Sequence, residues 1–185
     1  MALLRETWGG PIFWLFPMAT MAVSMVSFAV FATVFTWIAA RDPEGLRRFR
    51  IQSRKPRAQD LVGPSIRTWL VNNAWMFVAS LTLWPLLRHS GVHAGPLPPA
   101  WLVAAQLGFF VYLDDFLFYW MHRALHEPWP FKKIHGLHHT ILTPWAVTGH
   151  YMHPLEYVMT GSLALAGPVL VGAHVVGTVL AGDRV

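Results

Sequence analysis

Histidines are the residues of this chain whose types and spacing offer chemistry. The sequence has no cysteine, which excludes disulfides, thiolate catalysis and zinc or iron–sulfur sites built on cysteine. Seven of its ten histidines lie between His122 and His153. Because neutral imidazole is a good ligand for iron, zinc and copper, this concentration predicts a metal site.

Two short motifs carry that prediction. His122 and His126 stand four positions apart, so on a helix their rings project from the same face. His135, His138 and His139 form an HxxHH motif, which offers two or three imidazoles along one edge of a helical turn. Each motif alone is weak, since a surface pair is the commoner origin of such spacing. Together they favour a site for two metal ions, or for one ion with redundant ligands.

The other histidines do not extend the motifs. His89 and His93 fall in a turn rich in glycine and proline and are expected to be solvated. His174 stands alone in an apolar run and is expected to be packed rather than ligating. The HExxH motif of zinc proteases is absent, as are serine hydrolase and nucleotide-binding motifs.

The elements that must position these histidines are membrane helices. Hydrophobic residues make up 55% of the chain and charged residues only 12%, against about 25% charged in soluble domains. The sequence predicts an all-α integral membrane helical bundle with about four spans, near 14–40, 68–87, 101–120 and 155–181. We expect one membrane domain over 1–185, with its histidine-box region at 115–156. The last apolar stretch contains several glycines and a proline, which predicts one kinked span or a hairpin.

Basic residues predict the orientation of these spans. They are concentrated between Arg41 and Arg57, between the first two apolar stretches. Such a segment is more simply a cytoplasmic loop than a nucleic-acid patch, because lysine and arginine resist translocation. Counting the crossings from that loop then places the histidine motifs on the cytoplasmic face, a sidedness that Arg123, Lys132 and Lys133 support independently.

Two polar residues precede the first histidine pair. Asp115 lies seven positions before His122, about two helical turns back on a similar face. Together with Tyr119 it is predicted to make hydrogen bonds that orient the ligand rings. Pairing of Asp115 with a nearby arginine is the alternative.

The motifs resemble those of a known family. Residues 115–126, DFLFYWMHRALH, resemble the first histidine box of the fatty acid hydroxylase/sterol desaturase superfamily, and residues 133–139, KIHGLHH, resemble its second box. The HPLE segment at 153–156 and the basic stretch at 48–57 are similar to the C-4 methylsterol oxidase branch of that superfamily.

The resemblance implies a membrane-bound non-haem di-iron oxidase, with zinc as an alternative occupant in purified material. It would use O2 and electrons from a redox protein to hydroxylate or desaturate a C–H bond of a lipid, preferably a sterol rather than a fatty acyl chain. The implied metal ligands are His122, His126, His135, His138 and His139. His153 is implied as an additional ligand or a structural residue, buttressed by Glu156.

One part of the family pattern is missing. Members carry a third HxxHH box and a further histidine just before it, and His174 fits neither position. We therefore expect the chain to be incomplete at its C-terminus. The alternatives are a degenerate relative that binds lipid without turnover, and a second chain that supplies the missing histidines.

Two rival functions follow from the same residues. The first is a catalytically silent membrane protein that binds lipid. The second is a haem-binding electron carrier, which would need histidines deep within facing helices rather than at the ends of spans. Arginine outnumbers lysine, a composition that favours a bacterial plasma membrane over endoplasmic reticulum, and no nucleic-acid partner is expected.

Overall fold

A computed structural model describes residues 10–49 and 61–176 of the chain. Within these residues the structure is helical and no β-strand forms, which confirms the all-α prediction. Four helical segments of the described residues are long and apolar enough to cross a bilayer, judged by length and composition, and the fourth of them, Pro154–Val171, consists of two consecutive helices. The predicted helical membrane bundle is thereby confirmed.

The first long helix, α1, covers Pro11–Arg41 and contains a π-helical turn at Trp14–Met18. Pro17 lies inside that turn, where its missing N–H and its ring disturb regular α-helical bonding. The helix ends where Asp42 adopts a left-handed conformation, with φ of 47°. A short 3-10 helix, Glu44–Phe49, follows, while the basic residues at 50–57 lie outside the described residues.

Helices α2 and α3 cover Val62–Leu87 and Ala100–Leu125. Helix α2 begins six residues before the predicted start near 68, because the helix continues past Arg67 beyond its apolar stretch. Many large apolar side chains of α3 are exposed, among them Trp101, Tyr112 and Trp120. Exposed apolar surface of this kind is expected of a helix that faces lipid, where burial against protein brings no hydrophobic gain.

The histidine motifs occupy the region between α3 and the last span. A short helix, α4 (Pro128–Lys133), is followed by two 3-10 helices at His135–Thr140 and Ala146–His150. Helices α5 (Pro154–Leu163) and α6 (Ala166–Val171) then form the last apolar element. Residues 177–181, the end of the predicted fourth span, lie outside the described residues.

The last apolar element crosses the bundle as a kinked pair of helices. Its start lies beside the histidine motifs, since Glu156 contacts His135. Its end reaches the α2–α3 turn, where His93 N donates to Ala173 O and Val175 N donates to His93 O. The two ends therefore lie at opposite ends of the bundle, as a span requires, and a hairpin returning to the histidines would not produce this pairing.

The described part of the basic segment lies at the same end of the bundle as the histidines. Near the end of α1, Thr36 Oγ1 accepts a hydrogen bond from Val147 N. Near the start of α2, Asn72 donates to the carbonyl of Met152. The end of α1 and the start of α2 therefore lie on the histidine side, in agreement with the crossing count from the sequence.

Small residues allow α6 to approach α3 closely. A Cβ atom at Gly167 would lie 2.5 Å from Phe110 Cδ1 and 3.2 Å from Phe110 Cα. Phe110 is itself buried in a cluster with Ala173. The second of those contacts is to backbone, so a side chain at position 167 would push the two helices apart.

We expect Gly167→Ala to destabilise the bundle by about 1–3 kcal/mol, the usual cost of overpacking a close contact. Thermal unfolding in detergent, followed by tryptophan fluorescence, measures the effect. Gly108→Ala on α3 is the matched control, because a Cβ atom there meets nothing within 4 Å. Equal midpoints for the two variants would contradict the close packing of α6 on α3.

Candidate metal centre

The C-terminal end of α3 supplies the first two histidines. His122 lies in the last turn of the helix and His126 caps its end, with His126 N donating to His122 O. Pro128, the first residue of α4, accompanies the change in chain direction just after His126. The Nε2 atoms of His122 and His126 lie 3.1 Å apart, as the four-residue spacing predicts.

The 3-10 helix His135–Thr140 brings the second pair of rings against the first. His135 Nε2 lies 3.2 Å from His126 Nε2 and 2.9 Å from His139 Nε2. Gly136 makes this approach possible, because a Cβ atom there would lie 2.8 Å from the backbone oxygen of Phe131. Helix α4 and the 3-10 helix thus fold tightly enough for the HxxHH motif to meet the end of α3.

Four histidines form one cluster, which we call the four-histidine cluster: His122, His126, His135 and His139. One ring nitrogen of each lies within 4.8 Å of those of the other three. His135 is fully buried, whereas His126 and His139 are exposed. Converging imidazole nitrogens suit a transition-metal ion, which can accept several lone pairs at once.

Glu156 of α5 orients the central ring. Its Oε1 atom lies 2.6 Å from His135 Nδ1, and both side chains are buried. When Nδ1–H donates to the carboxylate, His135 Nε2 keeps its lone pair and points it at His126 and His139. A carboxylate that holds a histidine in this way is the usual second partner of a metal-ligating imidazole. Glu156 thus contacts His135, not His153 as the sequence analysis proposed.

The protonation of the buried ring also suits metal binding. Burial, followed by the charges of the neighbouring histidines, lowers the pKa of His135 to about 4. Burial and the adjacent His139 likewise lower the pKa of His138. Because a metal ligand must be a neutral imidazole, these groups need not lose a proton near neutral pH to bind an ion.

His138 lies beside the four-histidine cluster without joining it. Its ring centroid is 5.8 Å from that of His135 and 5.4 Å from that of His139. Its Nδ1 atom is buried and has no hydrogen-bond partner among the described residues. Buried polar atoms nearly always have a partner. Coordination to a metal ion would give this nitrogen one.

His153 is placed as a helix cap. Its Nδ1 atom accepts a hydrogen bond of 3.1 Å from Leu155 N at the start of α5. A neutral imidazole that accepts at Nδ1 carries its proton on Nε2, which leaves no free lone pair for a metal. Of the two roles predicted for His153, this contact supports the structural one.

We therefore expect His153→Ala to reduce stability by about 1 kcal/mol through loss of the cap, without reducing metal content. His153→Asn is the conservative control, because asparagine caps helices well. Thermal midpoint and elemental analysis of the same purified samples separate the two roles. A loss of metal in His153→Asn, with unchanged stability, would show instead that His153 is a ligand.

Asp115 and Tyr119 make no hydrogen bond to the histidine rings in the part of the chain that the structure describes. Asp115 is exposed on α3, and no hydrogen bond or ion pair joins it to any described residue. The Tyr119 hydroxyl accepts a hydrogen bond of 3.2 Å from Arg123. Orientation of the ligand rings by these two residues stays a prediction without a contact to support it.

Comparison with known proteins places this site in a family. Residues 107–182, which contain all five box histidines, match the family model described as fatty acid hydroxylase. Over these residues the chain is similar to fatty acid hydroxylases. The resemblance of the histidine boxes to this superfamily is thereby confirmed.

Several proteins are similar to this chain over part of their own length. Methylsterol monooxygenase 2-2 of Arabidopsis thaliana is 36% identical over 135 residues, 71% of this chain and 50% of that protein. Very-long-chain aldehyde decarbonylase GL1-8 of Oryza sativa subsp. japonica is 46% identical over 79 residues, 43% of this chain and 30% of that protein. Fatty acid hydroxylase domain-containing protein 2 of Macaca fascicularis is 36% identical over 137 residues, 71% of this chain and 41% of that protein.

The chain thus spans half the length, or less, of these relatives. No solved structure matches it. The resemblance to the methylsterol oxidase branch, proposed from residues 153–156 and 48–57, is confirmed, since methylsterol monooxygenases are among the relatives.

Next to the histidines, residues of α1, of α3 and of the segment from His138 to Thr160 surround an apolar cavity of about 700 Å³. We call it the substrate-side cavity, after the role proposed for it below. Four residues of α1 line one wall, and the histidine region and α5 line the other. The lining on α1 consists of Phe28, Phe31, Ala32 and Phe35. His122 and His138 open onto the same space. An apolar molecule held there would lie against the histidines, and the volume is within the usual range for small-molecule sites.

His150 was not among the site residues predicted from the sequence. It follows the HxxHH motif at no characteristic spacing, and nothing in its local sequence distinguishes it. In the structure its ring stacks on Phe28 of α1, with centroids 4.0 Å apart and planes 15° apart. Only the packing of the 3-10 helix Ala146–His150 against α1, which the local sequence does not encode, brings His150 to the substrate-side cavity.

Proposed function

We propose that this chain is the membrane-embedded, metal-binding part of an O2-dependent oxidase that hydroxylates or desaturates a lipid C–H bond. The observation that carries the proposal is the position of the four-histidine cluster. It lies at one end of the membrane spans, and His122 opens onto an apolar cavity of about 700 Å³. A metal site that meets a lipid-sized cavity suits oxidation of a substrate dissolved in the bilayer.

The proposed metal is iron, in a pair of ions. The four-histidine cluster would supply most of the ligands, and His138, with its buried unpartnered Nδ1, would supply a fifth. Bound iron would provide O2 activation for oxidation of the C–H bond. The ligand set is rich in imidazole and contains no thiolate, and imidazole binds zinc as well as iron. Metal analysis is therefore needed to decide between the two.

The protein's own residues have three tasks in this proposal. Glu156 holds His135 in the tautomer that leaves Nε2 free. The phenylalanines of α1 exclude water from the substrate-side cavity and hold the apolar substrate. The position of His122 and His138 on the wall of that cavity determines which carbon of the substrate meets the metal site.

The proposed substrate is a sterol, with a fatty acyl lipid as the second choice. Methylsterol monooxygenases of Arabidopsis thaliana are among the relatives, and they align with up to 71% of this chain. Hydroxylation would consume one O2, two electrons and two protons, and would yield the alcohol and one water. The electrons would come from a redox protein at the histidine face, which we place on the cytoplasmic side of a bacterial plasma membrane or the endoplasmic reticulum.

Metal content of the detergent-purified chain tests the proposal first. We expect near two irons per chain, lost when all five box histidines are changed to alanine. Oxidation of 4-methylsterols, compared with fatty acids, is then measured with a chemical or protein electron donor. A purified, folded chain without specifically bound metal would contradict the proposed activity.

A second candidate is a catalytically silent relative that binds lipid. The exposure of His126 and His139 favours it, because an open metal site is less protected from water than a closed one. This candidate predicts lipid binding in the substrate-side cavity without stoichiometric metal. The five-histidine variant would then bind lipid as well as the parent chain does.

A further inference from the structure

His150 stands between two cavities of the bundle. Its ring lines the substrate-side cavity and also a smaller one of about 180 Å³, which we call the inner polar cavity. Met152 and Thr160 line both cavities as well, so the two spaces adjoin. The inner polar cavity is lined by polar residues of three helices, including Thr20, Asn73 and Asp114.

The position of the His150 ring is fixed from several sides. It stacks on Phe28 and meets Tyr157 edge-on, with ring centroids 5.2 Å apart and planes at 83°. Asn72, fully buried on α2, donates to the carbonyls of His150 at 3.5 Å and Met152 at 3.0 Å. Aromatic neighbours therefore hold the imidazole in place, and hydrogen bonds from Asn72 fix the backbone of His150 to α2.

The ring has unused hydrogen-bonding capacity. Its Nδ1 atom is buried and has no partner among the described residues. Burial lowers the pKa of His150 to about 4, so the imidazole is neutral near pH 7. Buried polar atoms without partners are rare because they forfeit a hydrogen bond made in water. Because the ring lines the substrate-side cavity, a bound ligand that carries a polar group would pair with a nitrogen of this imidazole.

The charges around the two cavities restrict that ligand. No lysine or arginine in the described parts of the chain lines either cavity, whereas Asp114 lines the inner polar cavity and Glu156 lines the substrate-side cavity. A carboxylate or phosphate there would have no cation to pair with, which is costly within a membrane bundle. A neutral hydroxyl needs only a hydrogen-bond partner. The phenylalanine wall of the substrate-side cavity, from Phe28 to Phe35, suits an extended apolar body.

We propose that His150 hydrogen bonds the hydroxyl group of a neutral alcohol lipid whose apolar body lies in the substrate-side cavity. His150 is then a specificity-determining residue, because it fixes the distance from the hydroxyl to the carbon that meets His122 and His138. The inference rests on the proposed function for the identity of that carbon. The binding of the alcohol itself does not depend on metal or turnover.

Competition binding with two probes that differ by one hydroxyl tests this proposal. The detergent-purified full chain is incubated with a tritiated photoreactive cholesterol analogue and competed with cholesterol or with 5-cholestene, which lacks the hydroxyl. Concentrations are expressed as mole fractions in the micelle, so that partitioning does not distort the comparison. We expect cholesterol to compete about 2- to 10-fold better, the range that one net hydrogen bond gives.

The decisive variant is His150→Phe, which keeps an aromatic ring to stack on Phe28. It is expected to bind cholesterol and 5-cholestene equally, with 5-cholestene affinity unchanged. His150→Gln keeps a hydrogen-bonding group and should retain part of the preference, which guards against a folding defect in the first variant. His89→Phe is the matched control: this exposed histidine follows α2, whose last residue, Leu87, lies about 22 Å along the helix from Asn72.

Three results would overturn the inference. One is a parent chain without preference for the alcohol, and another is a His150→Phe variant that keeps the full preference. The third is failure of both competitors, which would also remove lipid binding in this cavity from the proposed function. Metal content is measured on the same samples. A hydroxyl preference that depends on His150 in a chain without metal would support the inference while contradicting the proposed oxidation.

Discussion

Replacement of His135 by alanine is expected to abolish stoichiometric metal binding by this chain. His135 is the central ring of the four-histidine cluster, with its Nε2 atom 3.2 Å from that of His126 and 2.9 Å from that of His139. Loss of a partner that orients a ligand already costs about 10- to 100-fold in metal affinity. Loss of the ligand that lies between two others should exceed that range.

The experiment requires variants that separate ligand loss from misfolding. His135→Ala leaves Glu156 buried without its partner, a change that by itself destabilises the fold. His135→Gln keeps a hydrogen-bonding group near Glu156 but removes the imidazole, so it should fold and still lose metal. His139→Ala removes an exposed ring of the same cluster and should lose metal with little change in stability.

Elemental analysis after purification, together with size-exclusion elution and thermal midpoint, measures these effects. His89→Ala is the control for histidine removal in general, since His89 is exposed and lies outside the cluster. Unchanged metal content in both His135→Gln and His139→Ala would contradict the assignment of this cluster as the metal centre. A smaller loss in His138→Ala than in His139→Ala would agree with the position of His138 beside the cluster.

Local spacing in the sequence predicted part of the four-histidine cluster. The contact between His122 and His126 follows from helix geometry alone, because residues four apart share a face. His135 and His139 are also four apart, but they lie in a 3-10 helix with three residues per turn, so their contact does not follow from the same α-helical rule. Hydropathy likewise predicted the four apolar helices, since a run of about 20 apolar residues is sufficient evidence of a span.

Contacts between distant segments could not be predicted in this way. Glu156 contacts His135, which lies 21 positions away in the sequence. The sequence had suggested His153, only three positions away, as the residue that Glu156 supports. His150 acquires its environment only when the 3-10 helix before it packs on Phe28. The crossing of α5 and α6 became evident from the pairing of His93 with residues 173–175. Each of these facts depends on tertiary packing, which residue spacing does not specify.

The second large effect is expected at Glu156, which never contacts the metal in the proposed centre. Its Oε1 atom lies 2.6 Å from His135 Nδ1, and Oε2 is buried with no hydrogen-bond partner among the described residues. The side chain is only 4% exposed, so water does not readily replace a lost contact. Such a carboxylate stabilises the one tautomer of His135 that leaves Nε2 free for a metal ion.

We expect Glu156→Gln to lower metal affinity by about 10- to 100-fold while the protein remains folded, because the amide keeps the shape but not the charge. Glu156→Ala should also lose stability, by about 1–3 kcal/mol, since it leaves His135 Nδ1–H buried without an acceptor. Competition with a chelator, titrated with ferrous iron under anaerobic conditions, measures the affinity. Glu127→Gln provides the control, because Glu127 is exposed and follows the first histidine pair directly. Equal iron affinity in Glu156→Gln and Glu127→Gln would show that the Glu156 carboxylate packs against His135 without directing the lone pair of its Nε2 atom. The geometry of the proposed centre would then depend on the packing of the histidine rings alone.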